Sequence, residues 1–291
     1  MSLTDAGLRF WIAAVLGLAL ATGACEQRVR QQTSPQSVVE IIKRRGALKV
    51  GVSTFVPWAM RDKTGELVGF EIDVATKLAA DMGVAVEFVS TAWDGIIPAL
   101  LAGKFDVIIG GLSITAQRNL TVNFTVPYAH SGLGVAANKE LAAGITWPDD
   151  YNSPEVTFAC RRGATSCSAV EELFPKTVVR KFDDDSQAAQ EVLNGNAHVF
   201  VSSHPKPALL VRQYGHKLFL PTTGNLTQSN EAFGLRKGDP DALNFFSNWI
   251  LLNTRNGWLK ERHSYWFKTA DWAGQVDLEE FLQLEGDAAG A

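Results

Sequence analysis

Between Ala47 and Tyr128, strand-like and helix-like segments alternate in units of roughly thirty residues, and that rhythm constrains the fold more than any other feature. Ala47–Val52 reads as a strand. Glu71–Met82 reads as a helix whose Ile72, Ala75, Leu78 and Ala79 share one face, and Val84–Val89 as the next strand. Trp93-Asp94-Gly95 opens a further helix, with Asp94 the expected N-cap and Gly103 at its end. Phe105–Ile109 is a short apolar run rich in β-branched residues, read as a buried strand that Gly110 and Gly111 terminate. Such alternation implies the α/β class with a largely parallel sheet. Ligands of these sheets lie beyond the carboxyl ends of the strands, where Phe55, Trp93 and the turn from Gly110 to Arg118 fall.

That turn is the first candidate site. Glycines after a strand let backbone N–H groups approach a ligand closely, because no Cβ intervenes. Ser113 and Thr115 add hydroxyl donors, and the Arg118 guanidinium can grip a carboxylate through two parallel hydrogen bonds. The same residues also fit a plain strand-to-helix turn, with Thr115 as N-cap and Arg118 in solvent. The local sequence leaves both readings open.

The 291 residues suffice for one large core or two modest ones. A net charge of −4 gives no basic footprint for nucleic acid, so none is expected as a partner. Residues 1–24 read as an export signal: Arg9 precedes the apolar run Phe10–Ala21, too short to span a bilayer comfortably, and small residues follow. Thr22-Gly23-Ala24 before Cys25 resembles a lipoprotein cleavage site, which makes Cys25 the expected lipid attachment; ordinary signal cleavage is the alternative. Residues 25–36 are polar and read as a tether. Cys160 and Cys167 then remain, an even number in an oxidising compartment. They form a disulfide if the loop between them folds back, and are otherwise two reduced thiols. Their spacing is not that of a zinc site, and neither a metal nor a cofactor is expected.

Three segments in order carry a family resemblance: GELVGFEIDVATKLAADMGV, then WDGIIPALLAGKFDVIIGGLSITAQR, then Val126-Pro127-Tyr128. They resemble the periplasmic solute-binding proteins of polar amino-acid ABC transporters, extracellular solute-binding protein family 3, and the likeness runs from about Ala47 to Phe267. The resemblance implies a two-lobed type II periplasmic-binding-protein fold, with mixed sheets flanked by helices and two hinge strands. Lobe 1 would comprise residues 37–130 and 229–270, lobe 2 residues 131–228, and residues 271–291 an acidic tail. His130-Ser131-Gly132 is a plausible crossing and Asn225–Asn230 a plausible return. The aromatic residues of the helices near 242–252 and 257–267 are expected to pack on lobe 1.

The resemblance also assigns roles. Arg118 would bind the ligand's α-carboxylate, helped by the Gly111 N–H and the Ser113 hydroxyl, while Phe55 and Trp93 stack on either side of the ligand. The other reading of Trp93 is a side chain packed on the core. Arg162-Gly163-Ala164-Thr165 matches a turn that begins a helix and turns N–H groups and the Thr165 hydroxyl toward the carboxylate. One position departs from the pattern: where the family carries the acid that holds an α-ammonium, this chain has Ser203. An ammonium facing only neutral oxygens loses its charge partner. The ligand is then an amino acid held by other groups, or a carboxylate whose amine is substituted or absent, such as an opine, keto acid or hydroxy acid. Ser53 argues mildly against a basic side chain on the ligand.

The expected protein is therefore a non-enzymatic, monomeric receptor in the periplasm. It would be attached to the membrane only by its N-terminal lipid and would deliver a small carboxylate to ABC permease subunits. The alternative is a periplasmic cyclohexadienyl or prephenate dehydratase-like enzyme on the same fold, for which His204 is the sole proton donor the sequence offers.

Overall fold

The computed structural model describes residues 36–269 and 271–276. The export signal, Cys25, most of the tether and residues 277–291 lie outside the described residues. Among the described residues the strands are β1 (Ala47–Val52), β2 (Met60–Arg61), β3 (Leu67–Val68), β4 (Ala85–Ser90), β5 (Val107–Ile108), β6 (Asn123–Phe124), β7 (Ala129–Asn138), β8 (Thr157–Arg161), β9 (Val178–Phe182), β10 (Val199–Ser203), β11 (Leu218–Phe219), β12 (Thr227–Glu231) and β13 (Gly234–Leu235). The helices are α1 (Val38–Arg45), α2 (Phe70–Asp81), α3 (Ile96–Leu101), α4 (Ala116–Asn119), α5 (Thr165–Leu173), α6 (Asp185–Leu193), α7 (Lys206–Gln213), α8 (Pro240–Arg255) and α9 (Trp258–Lys268).

The strands build two main sheets. The first has the order β4-β1-β5-β13-β6, and β1 runs parallel to β4 and β5 while β13 runs antiparallel to β5 and β6. In the second the order is β11-β7-β10-β8-β9, with β12 beside β7. Strand β7 carries the chain between the sheets. Its first half pairs antiparallel with β12, in the register His130 to Asn230, and its second half pairs with β10, in the register Val135 to Val201. From β12 the chain returns to β13, where Gly234 meets Ile108 and Phe124. Two sheets joined by two adjacent strands form the two-lobed, mixed α/β architecture that the resemblance implies.

Each lobe closes on apolar faces that the sequence period sets. Helix α2 buries Phe70, Val74, Ala75 and Leu78 against β1, and α8 adds Phe246, Trp249 and Ile250 to the same core. The C-terminal tryptophans are amphipathic fasteners: Trp249 Nε1 donates to Asp81 at 2.8 Å and Trp266 Nε1 to Asp73 at 2.6 Å. The second core gathers Val135, Tyr151, Phe158, Phe174 and Val201.

One local expectation is corrected. Trp93–Gly95 forms a turn of 3₁₀ helix whose N-cap residue is Ala92, and α3 follows it from Gly95, so Asp94 caps neither helix. Within the stretch read as an acidic tail, residues 271–276 pack on the lobe 1 core. Trp272 and Val276 are buried in the lobe 1 core, Trp272 lies 5.6 Å from Trp266, and the Gln275 carbonyl accepts the Lys63 N–H.

Candidate functional site

The turn after β5 is the strand-to-helix turn that one of its readings described. Thr115 is the N-cap of α4, its hydroxyl accepting the Arg118 N–H at 3.1 Å. The Arg118 side chain is nevertheless half-buried. Its Nη1 donates to the Ser113 carbonyl at 2.9 Å, and its Nη2 reaches across to the Gly163 carbonyl of the other lobe at 3.0 Å. Trp93 Nε1 donates to the same carbonyl at 3.3 Å. Gly163 therefore receives two donors from the first lobe. It sits at φ +73°, and a Cβ there would press on Asp94 at 3.3 Å, so this close inter-lobe approach requires glycine. Burial and the neighbouring Arg161 charge push the Arg118 pKa down to about 10, which leaves it protonated at neutral pH.

Trp93 packs on the core, as one of its readings described, and also reaches the other lobe. It is 7% exposed within a core of Ile96, Leu100, Phe105, Ile108 and Leu112, while its indole edge faces the second lobe. Phe55, half-buried, lies in a short loop pinned to Ala59 by two backbone hydrogen bonds. Between these rings stands a residue that motif reading did not single out. The Arg161 guanidinium, at the end of β8, lies 4.6 Å from the Trp93 ring centre and 5.2 Å from that of Phe55. Lys206 Nζ lies 5.7 Å from the Phe55 ring and 3.9 Å from Asp185 Oδ2, which also accepts the Ser202 hydroxyl at 2.9 Å. Burial lowers the pKa of Arg161 and of Lys206, opposed in both by the charge of Asp185.

Two expected donors have other partners in this conformation. The Gly111 N–H points inward and donates to Tyr128 Oη at 3.2 Å; that hydroxyl in turn donates to Glu71 at 2.5 Å. Gly111 thus supports the strand end from below rather than facing the gap. The Ser113 hydroxyl donates to Glu231 at 3.5 Å, and Glu231 also accepts Ser131 at 2.8 Å and Ser229 at 2.6 Å. Its position is at the hinge, where Ser113 and Glu231 form a backbone bridge.

On the second lobe Thr165 is the first residue of α5 and half-buried, so the helix's unpaired N–H groups begin where the sequence placed them. Cys160 and Cys167 are joined as a disulfide with Cα atoms 5.5 Å apart, tying the end of β8 to the first turn of α5. Ser203 closes β10, half-buried and paired with Leu133 of β7. His204 follows on the hinge side. Its ring packs on Gly134, where a Cβ would lie 2.8 Å away, and it lines a hinge cavity of about 460 Å³ with His130, Asn225 and Asn230.

This geometry can be set beside known proteins. The family model for bacterial extracellular solute-binding proteins, family 3, matches residues 48–269. The chain belongs to that family. It is 27% identical over 237 residues to the L-cystine-binding protein TcyJ of Escherichia coli K12, covering 80% of this chain and 86% of that one. The solved structure of the ancestral amino acid-binding protein AncCDT-1, a precursor of cyclohexadienyl dehydratase, is 37% identical with a TM-score of 0.72, over 80% of this chain and all of that one. A putative ABC-transporter binding component from Wolinella succinogenes, complexed with lysine, is 35% identical with a TM-score of 0.73, over 79% and 99% of the two chains. As a family 3 protein the chain is of the extracellular solute-binding type. Among its described residues no helix is long and apolar enough to cross a membrane.

The signal for the missed residue was present. Arg161 and Arg162 are consecutive at a strand end before Gly163, and alternation sends one outward and one inward. Arg162 is exposed and pairs with Asp183 at 3.3 Å, while Arg161 is buried.

Proposed function

We propose that this protein is the substrate-binding component of an ABC importer, exported by residues 1–24, tethered through lipid on Cys25, and holding a small carboxylate between its lobes for delivery to permease subunits. One observation carries the reading. Arg118 is fixed at one nitrogen by its own loop and sends the other across the gap to Gly163, beside the first turn of α5. A guanidinium anchored in this way keeps its fork oriented, so little side-chain freedom is lost when a carboxylate arrives. The carboxylate takes over the donor that now ends on Gly163, while the N-terminus of α5 and the Thr165 hydroxyl add donors from the opposite lobe. Because these contacts exist together only when the lobes meet, ligand shifts the hinge equilibrium toward closure. Phe55 and Trp93 flank the bound molecule, and Ser203 leaves an α-ammonium without its usual acid.

A thermal-shift screen of amino acids, opines and simple carboxylates tests the proposal, since a specific ligand raises the melting temperature with its excess over Kd. The expected result is at least one carboxylate with a clear shift that Arg118→Ala abolishes; shifts that survive the substitution refute this site.

A dehydratase reading has one residue in its favour, His204, whose Nε2 is buried without a partner. Burial lowers its pKa, which makes it a poor store of a proton, and it lies on the hinge against Gly134. NMR of prephenate incubated with the protein separates the two: unchanged substrate supports the receptor, and accumulation of an aromatic product the enzyme.

A further inference from the structure

The cleft holds two guanidinium groups that no carboxylate pairs with. The Arg118 donors end on two carbonyls, those of Ser113 and Gly163. Arg161 is only 6% exposed, yet its side chain makes no hydrogen bond to any described residue, and its Nε is buried with no acceptor. Both cations lie against the same indole: Arg118 at 5.7 Å and Arg161 at 4.6 Å from the Trp93 ring centre. Lys206, 5% exposed, brings a third positive charge to the Phe55 side. The nearby acids are already engaged. Asp185 accepts Ser202 and pairs with Lys206, and Asp184 caps α6 by accepting the Ser186 and Gln187 N–H groups.

Such an arrangement is costly by itself. Like charges close together and out of water repel, and a buried guanidinium with open donors forfeits the hydration it had. The depressed Arg118 pKa has the same origin, burial together with the Arg161 charge. Aromatic faces recover part of that cost, but ring contact satisfies none of the five N–H donors of a guanidinium. An anion inserted between the two groups would satisfy donors on both and screen their repulsion in one step.

We infer that the ligand carries two acid groups, one held by Arg118 and the other by Arg161, with Lys206 reinforcing the second. The inference rests on the binding-protein reading and narrows its substrate class to diacids: acidic amino acids, dicarboxylic acids, or opines in which a second carboxylate is joined through a secondary amine. The last group also suits Ser203, because a secondary ammonium has two N–H donors to satisfy there rather than three. A basic ligand is excluded by the same geometry. The ring faces of Phe55 and Trp93 already carry the chain's own cations, so a basic side chain on the ligand would add a further like charge there. In this the cleft differs from what its lysine-bound relative accepts.

The test is isothermal titration calorimetry of the purified protein with matched probes: L-glutamate against L-glutamine, succinate against butyrate, N-(1-carboxyethyl)alanine against alanine, and L-lysine and L-arginine as basic probes. At least one diacid should bind ten times or more tightly than its single-acid partner, and neither basic amino acid should approach it. Arg161→Gln should reduce that preference to below threefold while changing single-acid binding by less than threefold. Arg118→Ala should remove both. If a single acid or a basic amino acid binds as tightly as every diacid, in an Arg118-dependent manner, the diacid inference is overturned and the receptor reading stands. If no carboxylate binds at all, both fall. Should Arg161→Gln fail to fold, the wild-type ratios within each pair decide alone.

Discussion

Buried charge is handled in opposite ways on the two sides of the Gly110–Arg118 turn. Beneath it, Glu71 and Glu231 are buried carboxylates, and the chain itself answers one oxygen of each, the other being buried without a partner. Tyr128 donates to Glu71, and Ser131, Ser229 and Ser113 converge on Glu231. Desolvation raises both pKa values, that of Glu71 to about 8, so its proton is largely retained at neutral pH and little net charge is buried there. Above the turn stand Arg118, Arg161 and Lys206, and the two guanidinium groups lack a carboxylate partner among the described residues. The difference teaches how a scaffold is told from a site. Where a buried ionisable group serves the fold, neighbours or a proton neutralise it; where it serves a ligand, donors are left open.

The comparison is broken most severely by Arg118→Ala. Truncating a buried, hydrogen-bonded charge that meets a ligand costs about 2–5 kcal/mol of binding, so ligand affinity should fall by a factor of roughly thirty or more. Titration calorimetry reads this directly, and unfolding should remain cooperative because the Glu71 and Glu231 clusters are untouched.

The scaffold side is tested by pH. The Glu71 pKa is raised from 4.5 to about 8 on folding, so between these values the native state binds more protons than the unfolded state. The Glu71 contribution to stability is therefore fully present below about 4.5 and is lost as pH rises through 8. Glu71→Gln, which mimics the protonated form, should flatten this decline. The melting temperatures of wild type and variant should diverge by several degrees toward pH 8.5, the variant being higher. A parallel pair of pH profiles would mean that Glu71 is not the protonated member of the cluster.

Tyr128→Phe is smaller in effect. It leaves the Gly111 N–H without its acceptor and Glu71 without its donor, a loss of about 1–3 kcal/mol for buried groups left unpaired. Denaturant midpoints should fall, while affinity should hold if Gly111 is scaffold. A matching loss of affinity would return Gly111 to the ligand site.

Ser203→Asp is the mildest change and sharpens the cleft side. An acid at the end of β10 should improve the binding of a free α-amino acid severalfold and weaken that of a ligand lacking the amine. Competition between glutamate and glutarate would show it. No change in either would detach Ser203 from the ligand.

What the sequence made legible was what depends on neighbours along the chain. The periodicity of Glu71–Met82, the strand Ala47–Val52 and the turn that makes Thr115 an N-cap are local, and their residues dictated them. Family motifs placed Phe55, Trp93, Arg118 and Thr165 near the gap for the same reason, since each lies in a short recognisable segment. Arg161, Lys206 and Asp185 were not legible in that way. Their significance arises only when the second lobe brings the ends of β8 and α7 against the rings of the first. The inward turn of the Gly111 N–H likewise depends on Tyr128, seventeen positions later. Trp272 was read as part of an acidic tail because the composition around it is polar, yet one large ring docked on Trp266 outweighs it.

A crystal structure of the protein with its tightest-binding carboxylate tests the central claim most directly. The account predicts that a ligand carboxylate lies within hydrogen-bond distance of the Arg118 guanidinium, that the Nη2 donor has passed from the Gly163 carbonyl to the ligand, and that the Ser113 contact persists. A ligand bound elsewhere, with Arg118 still donating to Gly163, would contradict it.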